Sequence, residues 1–227
     1  MKKLLKAAFL SSLPVMAGYL VLGFGFGIVA VKSGFGFWWA AAMSVFIYAG
    51  SMQYVAVSLL SSGATLISVA LTTLMVNARH LFYGISMLRR YKHAGAKKPY
   101  LIFGLTDETY SLVCKRKAPE GLDFHNYAFW LTLLNQSYWI AGTALGALVG
   151  ANLSFNTAGI EFAMTALFIT VFVDQWKATK DHIPALAGIG VTIACLILYG
   201  SNRFLIPAML LISMILALRV MGEDRHG

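Results

Sequence analysis

Apolar residues run almost unbroken along this chain, and the few interruptions define its elements. Runs near the 20 residues that a helix needs to cross hydrocarbon alternate with short polar links. The first predicts a spanning helix over residues 13–31, preceded by a basic cytoplasmic arm at 1–12 with Lys2, Lys3 and Lys6. Lysines before an apolar run resemble a signal peptide, but this run is longer than a signal h-region and no A-x-A cleavage site follows it. Residues 35–60 and 65–88 are each long enough to span, and a basic loop follows at 89–98. Segment 100–114, YLIFGLTDETYSLVC, reaches only about 22 Å as a helix, short of a hydrocarbon core of about 30 Å. It is read as entering the interior without crossing. A polar link at 115–126 leads to a helix at 127–150, and three more are predicted at 160–176, 184–200 and 204–220. Pro184 and Pro207 suit the first turns of the last two. The tail at 221–227 is short and polar.

Composition places this pattern in a class. The hydrophobic share is 59% and the charged share 12%, about half the charged share of a soluble domain. Mean hydropathy is +0.72. The expectation is an all-α integral membrane protein, a polytopic helical bundle folded as one transporter domain over 1–227. The net charge of +9 sits in short loops, where it orients the chain and meets anionic lipid rather than nucleic acid. Cys114 and Cys195 have no motif spacing and read as two membrane-buried thiols.

Charge placement then selects a topology. If every long segment crossed with the N-terminus inside, the five basic residues of loop 89–98 would face outside, against the positive-inside rule. If 35–60 dips in, turns near Gly50 and returns, helix 65–88 runs inward and the loop is cytoplasmic. With 100–114 also re-entrant, fifteen of the 18 Lys and Arg residues lie inside, Lys32 and Arg203 lie outside, and Arg79 is intramembrane. This gives about six spanning helices, two re-entrant or broken segments, and both termini inside. A weak echo between 41–54 and 162–175 is better read as chance similarity of apolar runs than as a transporter repeat.

The candidate chemistry centres on residues 47–88. Tyr48, Gly50, Ser51 and Gln53 form a polar break inside apolar sequence, where freed backbone groups are able to bind a solute. On a continuous helix, Asn77, His80 and Gly84 share a face, and Arg79 reaches toward Tyr83. Arg79 either snorkels to the basic loop or lies in the membrane zone with an acidic partner. His80 beside it is a candidate proton or ligand site. Asp107 and Glu108 are the adjacent acids in an apolar stretch, and Asp107 is the preferred partner for Arg79. On helix 127–150, Gly142, Gly146 and Gly150 make a stripe along which another helix can approach closely. Asn135 and Gln136 serve either as helix glue or as solute contacts. Gly18, Gly23, Gly25 and Gly27 read as packing positions, since no strand precedes the GFGFG run and no Lys-Ser/Thr follows. Asp174 and Lys177 suit a surface ion pair, with Trp176 as an interfacial anchor. No metal-ligand spacing, nucleophile elbow or cofactor motif appears.

Several of these motifs, YAGSMQYV, NARHLFYG, FGLTDETYSL, LLNQSYWIAGTALGALVG and ALFITVFVDQWK, stand in one order. In that order the chain resembles the AzlC family over nearly its whole length, with Asn77 where some members carry aspartate. The resemblance implies the large subunit of a bacterial branched-chain amino acid exporter. It also implies a small hydrophobic AzlD-type subunit as partner and a multi-pass place in the bacterial cytoplasmic (inner) membrane. An amino acid zwitterion needs an anion-binding group such as Arg79, an acceptor for its ammonium and an apolar pocket. Asp107 or Glu108 would accept the ammonium or carry a coupling proton, and proton antiport is the preferred coupling. The rival readings are an uncoupled channel or facilitator, and an intramembrane enzyme built on His80 with an acid.

Overall fold

The computed structural model describes residues 2–114, 118–119, 121–152, 169, 172–173, 176–177, 179–200 and 204–223. These residues are helical or irregular, with no strand among them. They divide into two compact units, Met1–Met164 and Thr165–Gly227.

The first unit is built on two long helices, α1 (Lys2–Lys32) and α8 (Phe124–Asn152). The basic arm expected at 1–12 is therefore a helix from Lys2 onward. Its leucines, alanines and lysines are good helix formers, and Pro14 lies inside the helix without ending it. Ser12 fastens this extension, with its hydroxyl 2.9 Å from the Phe9 carbonyl and 3.1 Å from Tyr138 Oη on α8. Further along, the two backbones touch. A Cβ on Gly27 would fall 2.2 Å from the Thr143 carbonyl oxygen, and one on Gly146 would fall 1.9 Å from that of Phe24. Gly142 and Gly23 meet the facing backbone in the same way. Of the glycines expected to serve packing, Gly23, Gly27, Gly142, Gly146 and Gly150 do so, whereas Gly18 has nothing within 4 Å of where a Cβ would stand; lipid gives apolar helices no hydrophobic reason to associate, and close van der Waals contact takes its place.

Each segment between α1 and α8 is broken. Residues 35–60 form α2 (Phe37–Phe46) and α3 (Gly50–Ser61). The turn lies at 47–49, and the residue with positive φ is Tyr48, at 45°. Gly50 is already helical, so its conformational freedom is not what the break uses. What excludes a side chain there is the Trp139 ring, 2.9 Å from where a Cβ would stand. The helix expected at 65–88 is likewise two, α4 (Leu66–Val76) and α5 (Ala78–Met87), bent by 44°. Asn77 ends one and starts the other, although its side chain makes no capping hydrogen bond. The shared face expected for Asn77, His80 and Gly84 therefore does not hold across a continuous helix. Segment 100–114 is not one short helix either. It forms α6 (Lys98–Phe103) and α7 (Asp107–Val113), with Gly104, Leu105 and Thr106 between them. Thr106 caps α7 by accepting from the Thr109 N–H at 3.3 Å, a standard N-terminal device.

Among the described residues, α1 alone passes as a single helix long and apolar enough to cross a bilayer, and α4 with α5 adds a second if the bent pair is one span. At 29 residues, α8 is about 43 Å long, but its polar positions lower its hydropathy. Six spans is therefore a reading that rests on the sequence.

The second unit contains α9 (Ile183–Tyr199) and α10 (Leu205–Glu223). Pro184 occupies the first turn of α9. Arg219 Nη2 lies 2.8 Å from Asp181 Oδ2, and this hydrogen bond holds the Asp181 carboxyl below its usual range. Trp176 stacks on His182 with ring centroids 4.0 Å apart. Cys195 is buried, whereas Cys114, at the end of α7 in the first unit, is half-buried. Most of the helix expected at 160–176 lies outside the described residues, as do Asp174 of the proposed pair with Lys177, most of the 162–175 echo, Lys115, Arg116, Lys117, Arg203 and residues 224–227 of the tail.

Candidate functional site

The three chain breaks meet. Arg79, in the first turn of α5, reaches across to two of them. Its Nη2 lies 3.0 Å from Asp107 Oδ2 at the start of α7 and donates to Ser51 Oγ at 3.1 Å in the first turn of α3. The expected pairing with Asp107 is thus present, and Arg79 does not snorkel away from it. Both partners are mostly buried, with side-chain exposures of 30% and 22%. A helix N-terminus favours acids through its free N–H groups, so Asp107 and Glu108 in the first turn of α7 suit their place. Tyr83, one turn on from Arg79, flanks the Asp107 carboxylate. It stacks on Tyr110 with centroids 4.3 Å apart. His80 packs edge-on against Tyr83 at 5.8 Å, so the pair, His80 and Tyr83 form one neighbourhood.

Glu108 turns the other way. Its Oε2 accepts from the Tyr19 hydroxyl at 2.6 Å. Tyr19 also lies 2.6 Å from Thr106 Oγ1, which is 3.1 Å from Thr109 Oγ1, which accepts from Asn135 Nδ2 at 3.0 Å. Asn135 therefore belongs to the acid's side of the site. Tyr48 stands beside Tyr19 and Thr109, yet its hydroxyl makes no hydrogen bond of normal geometry.

Two candidates do not join this group. Gln53 is fully buried in a separate network: it accepts from Trp139 Nε1 at 3.0 Å and donates to Ser44 Oγ at 3.2 Å, and Ser44 donates to Thr143. Gln136 donates to the Val45 carbonyl and accepts from the Tyr100 hydroxyl. These amides tie the first broken segment and α6 to α8, which answers the helix-glue alternative for Gln136. Gly50 contributes through its contact with Trp139 rather than as an open backbone site. Tyr19, Tyr83, Thr106 and Thr109 escaped the sequence reading as site residues. The Thr-Asp-Glu order after Gly104 was a legible helix-start signal, but nothing in sequence links Tyr19 to it.

Five buried polar atoms around these breaks have no hydrogen-bond partner: Tyr48 Oη, Asn77 Oδ1, Arg79 Nε, Asp107 Oδ1 and Asn135 Oδ1. Buried polar atoms are nearly always paired. Such a concentration in one place is expected where water or a solute completes the bonding. Among the described residues no group of three or more His, Cys, Asp or Glu side chains is arranged to hold a metal ion.

A family model described as AzlC protein matches residues 14–153, which span all three breaks and α8. The branched-chain amino acid transport protein AzlC of Bacillus subtilis (strain 168) is 47% identical over 207 residues, 91% of this chain and 82% of the relative. An uncharacterized membrane protein of Helicobacter pylori is 44% identical over 222 residues, 98% of this chain and 96% of its own, so the likeness continues beyond residue 153. The inner membrane protein YgaZ of Escherichia coli (strain K12) is 28% identical over 207 residues, 88% of this chain and 82% of the relative. No solved structure matches.

Proposed function

The chain belongs to the AzlC family, and from that premise we propose that it exports branched-chain or similarly apolar amino acids across a bacterial inner membrane. A membrane transport role is supported by the family itself. Export, a small AzlD-type subunit as partner, and exchange against protons are parts of the proposal, as are six crossings and a single functional domain over 1–227. The observation that carries it is the meeting of three chain breaks at an Arg79–Asp107 pair surrounded by unpartnered polar atoms. Broken helices bring free backbone groups and half-helix ends to one place, which is how many transporters bind small charged solutes within hydrocarbon.

The test is counterflow in proteoliposomes holding the chain with its small subunit. Preloaded unlabelled leucine, isoleucine or valine should drive transient accumulation of the labelled amino acid. An imposed pH gradient should move it uphill. Accumulation in counterflow with no response to the gradient would leave an uncoupled facilitator, and no accumulation with any amino acid would end the export reading. The proposed topology puts Gly63 outside and Lys97 inside. Externally added thiol reagent should therefore label a cysteine at position 63 and miss one at 97 in intact cells, and the reverse pattern would reject it.

A further inference from the structure

Arg79 and Asp107 cancel each other's charge, but the acid next to them is uncompensated. Glu108 forms no ion pair among the described residues; its recorded partner is the neutral hydroxyl of Tyr19 at 2.6 Å. Behind Tyr19 the oxygens of Thr106 and Thr109 lead to Asn135. Asn135 is wholly buried, its amide is turned into this line by the Nδ2 bond to Thr109, and its Oδ1 accepts nothing. Tyr48, 3% exposed, brings its hydroxyl beside Tyr19 and Thr109 from the first chain break, with no hydrogen bond of normal geometry to either. With both acids ionised, Arg79, Asp107 and Glu108 carry one surplus negative charge. A carboxylate, an amide oxygen and a phenol oxygen tied to one hydrogen-bonded line, with no cation bonded to them among the described residues, lack a donor-rich positive group.

We propose that Glu108, Asn135 and Tyr48 seat the primary ammonium of the transported molecule, while Asp107 remains with Arg79. An ammonium has three N–H donors, and the cluster offers three kinds of oxygen for them. The two adjacent acids thus have different tasks: Asp107 holds the arginine, and Glu108 meets the ligand. The identity of the ligand as an amino acid rests on the export reading, but the ammonium seat itself can be tested without it.

Titration calorimetry on the purified full-length protein with its small subunit would use leucine, 3-methylbutylamine (ammonium without carboxylate), 4-methylpentanoate (carboxylate without ammonium) and sodium chloride. Charge-assisted hydrogen bonds contribute about 1.5–3 kcal/mol, so Glu108→Gln should weaken leucine and the amine by about tenfold or more. Binding of 4-methylpentanoate should be unchanged, which also reports that the variant is folded. Tyr48→Phe, which keeps the ring, should weaken the same two ligands by a smaller factor. Wild-type affinity for leucine and the amine in Glu108→Gln would overturn the assignment, as would equal loss of all three organic probes or loss of sodium binding alone. Glu108-dependent binding of the amine without leucine binding would keep the ammonium seat and remove the amino acid reading. Leucine binding indifferent to Glu108 would do the opposite, and binding of no probe would remove both.

Discussion

Arg79→Ala and Asp107→Ala should each abolish most transport and lower the yield of folded protein, while the double variant should fall short of the combined damage. The argument starts from solvation. A charge held in hydrocarbon without a partner costs several kcal/mol, and breaking a buried pair by removing one member costs about 3–5 kcal/mol because the other is stranded. Arg79 loses both its contacts in the Asp107 variant's neighbourhood only in part, since Ser51 Oγ remains within 3.1 Å. Asp107 keeps Tyr83 beside it, but a neutral hydroxyl does not balance a carboxylate left without its cation. Arg79→Ala is therefore expected to be the more damaging single change. A double-mutant cycle on folded yield and on counterflow should return a coupling of at least about 1 kcal/mol, within the usual range for contacting residues. Additivity of the two effects to within about 0.5 kcal/mol would mean that the 3.0 Å contact does not matter to either readout.

The second large effect is expected at the seam of α1 and α8. Gly146→Ala should prevent the two helices from docking. Its Cβ would lie 1.9 Å from the Phe24 carbonyl oxygen and 2.6 Å from the carbonyl carbon, and backbone on a helix cannot step aside as a side-chain tip can. Overpacking of ordinary cores costs about 1–3 kcal/mol. This contact is tighter, and it repeats at Gly27 and Gly142, so the helices would have to separate along several turns. Separation would also pull Tyr19 on α1 from Glu108 and Thr106, carrying the damage to the site. Gly18→Ala in α1 is the matched control, with nothing within 4 Å of the added atom; alanine is favoured there by about 0.5–1 kcal/mol in a helix interior. Fluorescence-detected gel filtration and thermal stability in detergent would compare the two. A Gly146→Ala protein as stable as Gly18→Ala would show that this seam is looser than the structure has it.

Much of the architecture was already decided by local physics that can be read along the chain. Long apolar runs have one solution in hydrocarbon, the helix, because every backbone N–H and C=O must be satisfied within the segment. The glycine spacing of Gly142, Gly146 and Gly150 marked a close helix contact, and an arginine within apolar sequence called for either a nearby acid or an escape to the basic loop. Asp107 was legible as that acid for the same reason of charge balance. Helix breaks were legible only where composition announced them. The polar cluster near Gly50 did so, although the strained residue proved to be Tyr48. Asn77 did not, because one asparagine inside an apolar run is compatible with a continuous helix, and at 104–106 only the Thr-Asp-Glu helix start gave a signal. Tertiary structure alone decided the different fates of similar residues. Gln53 and Asn135 are both buried amides, yet Gln53 is spent on Trp139 and Ser44 while Asn135 donates to Thr109 and keeps an unpartnered oxygen. The adjacent acids Asp107 and Glu108 separate because successive helical residues point about 100° apart, one toward Arg79 and the other toward Tyr19. Partners 28 and 89 residues away in sequence leave no local mark, and only the packing of α1, α5, α7 and α8 brings them within hydrogen-bond reach.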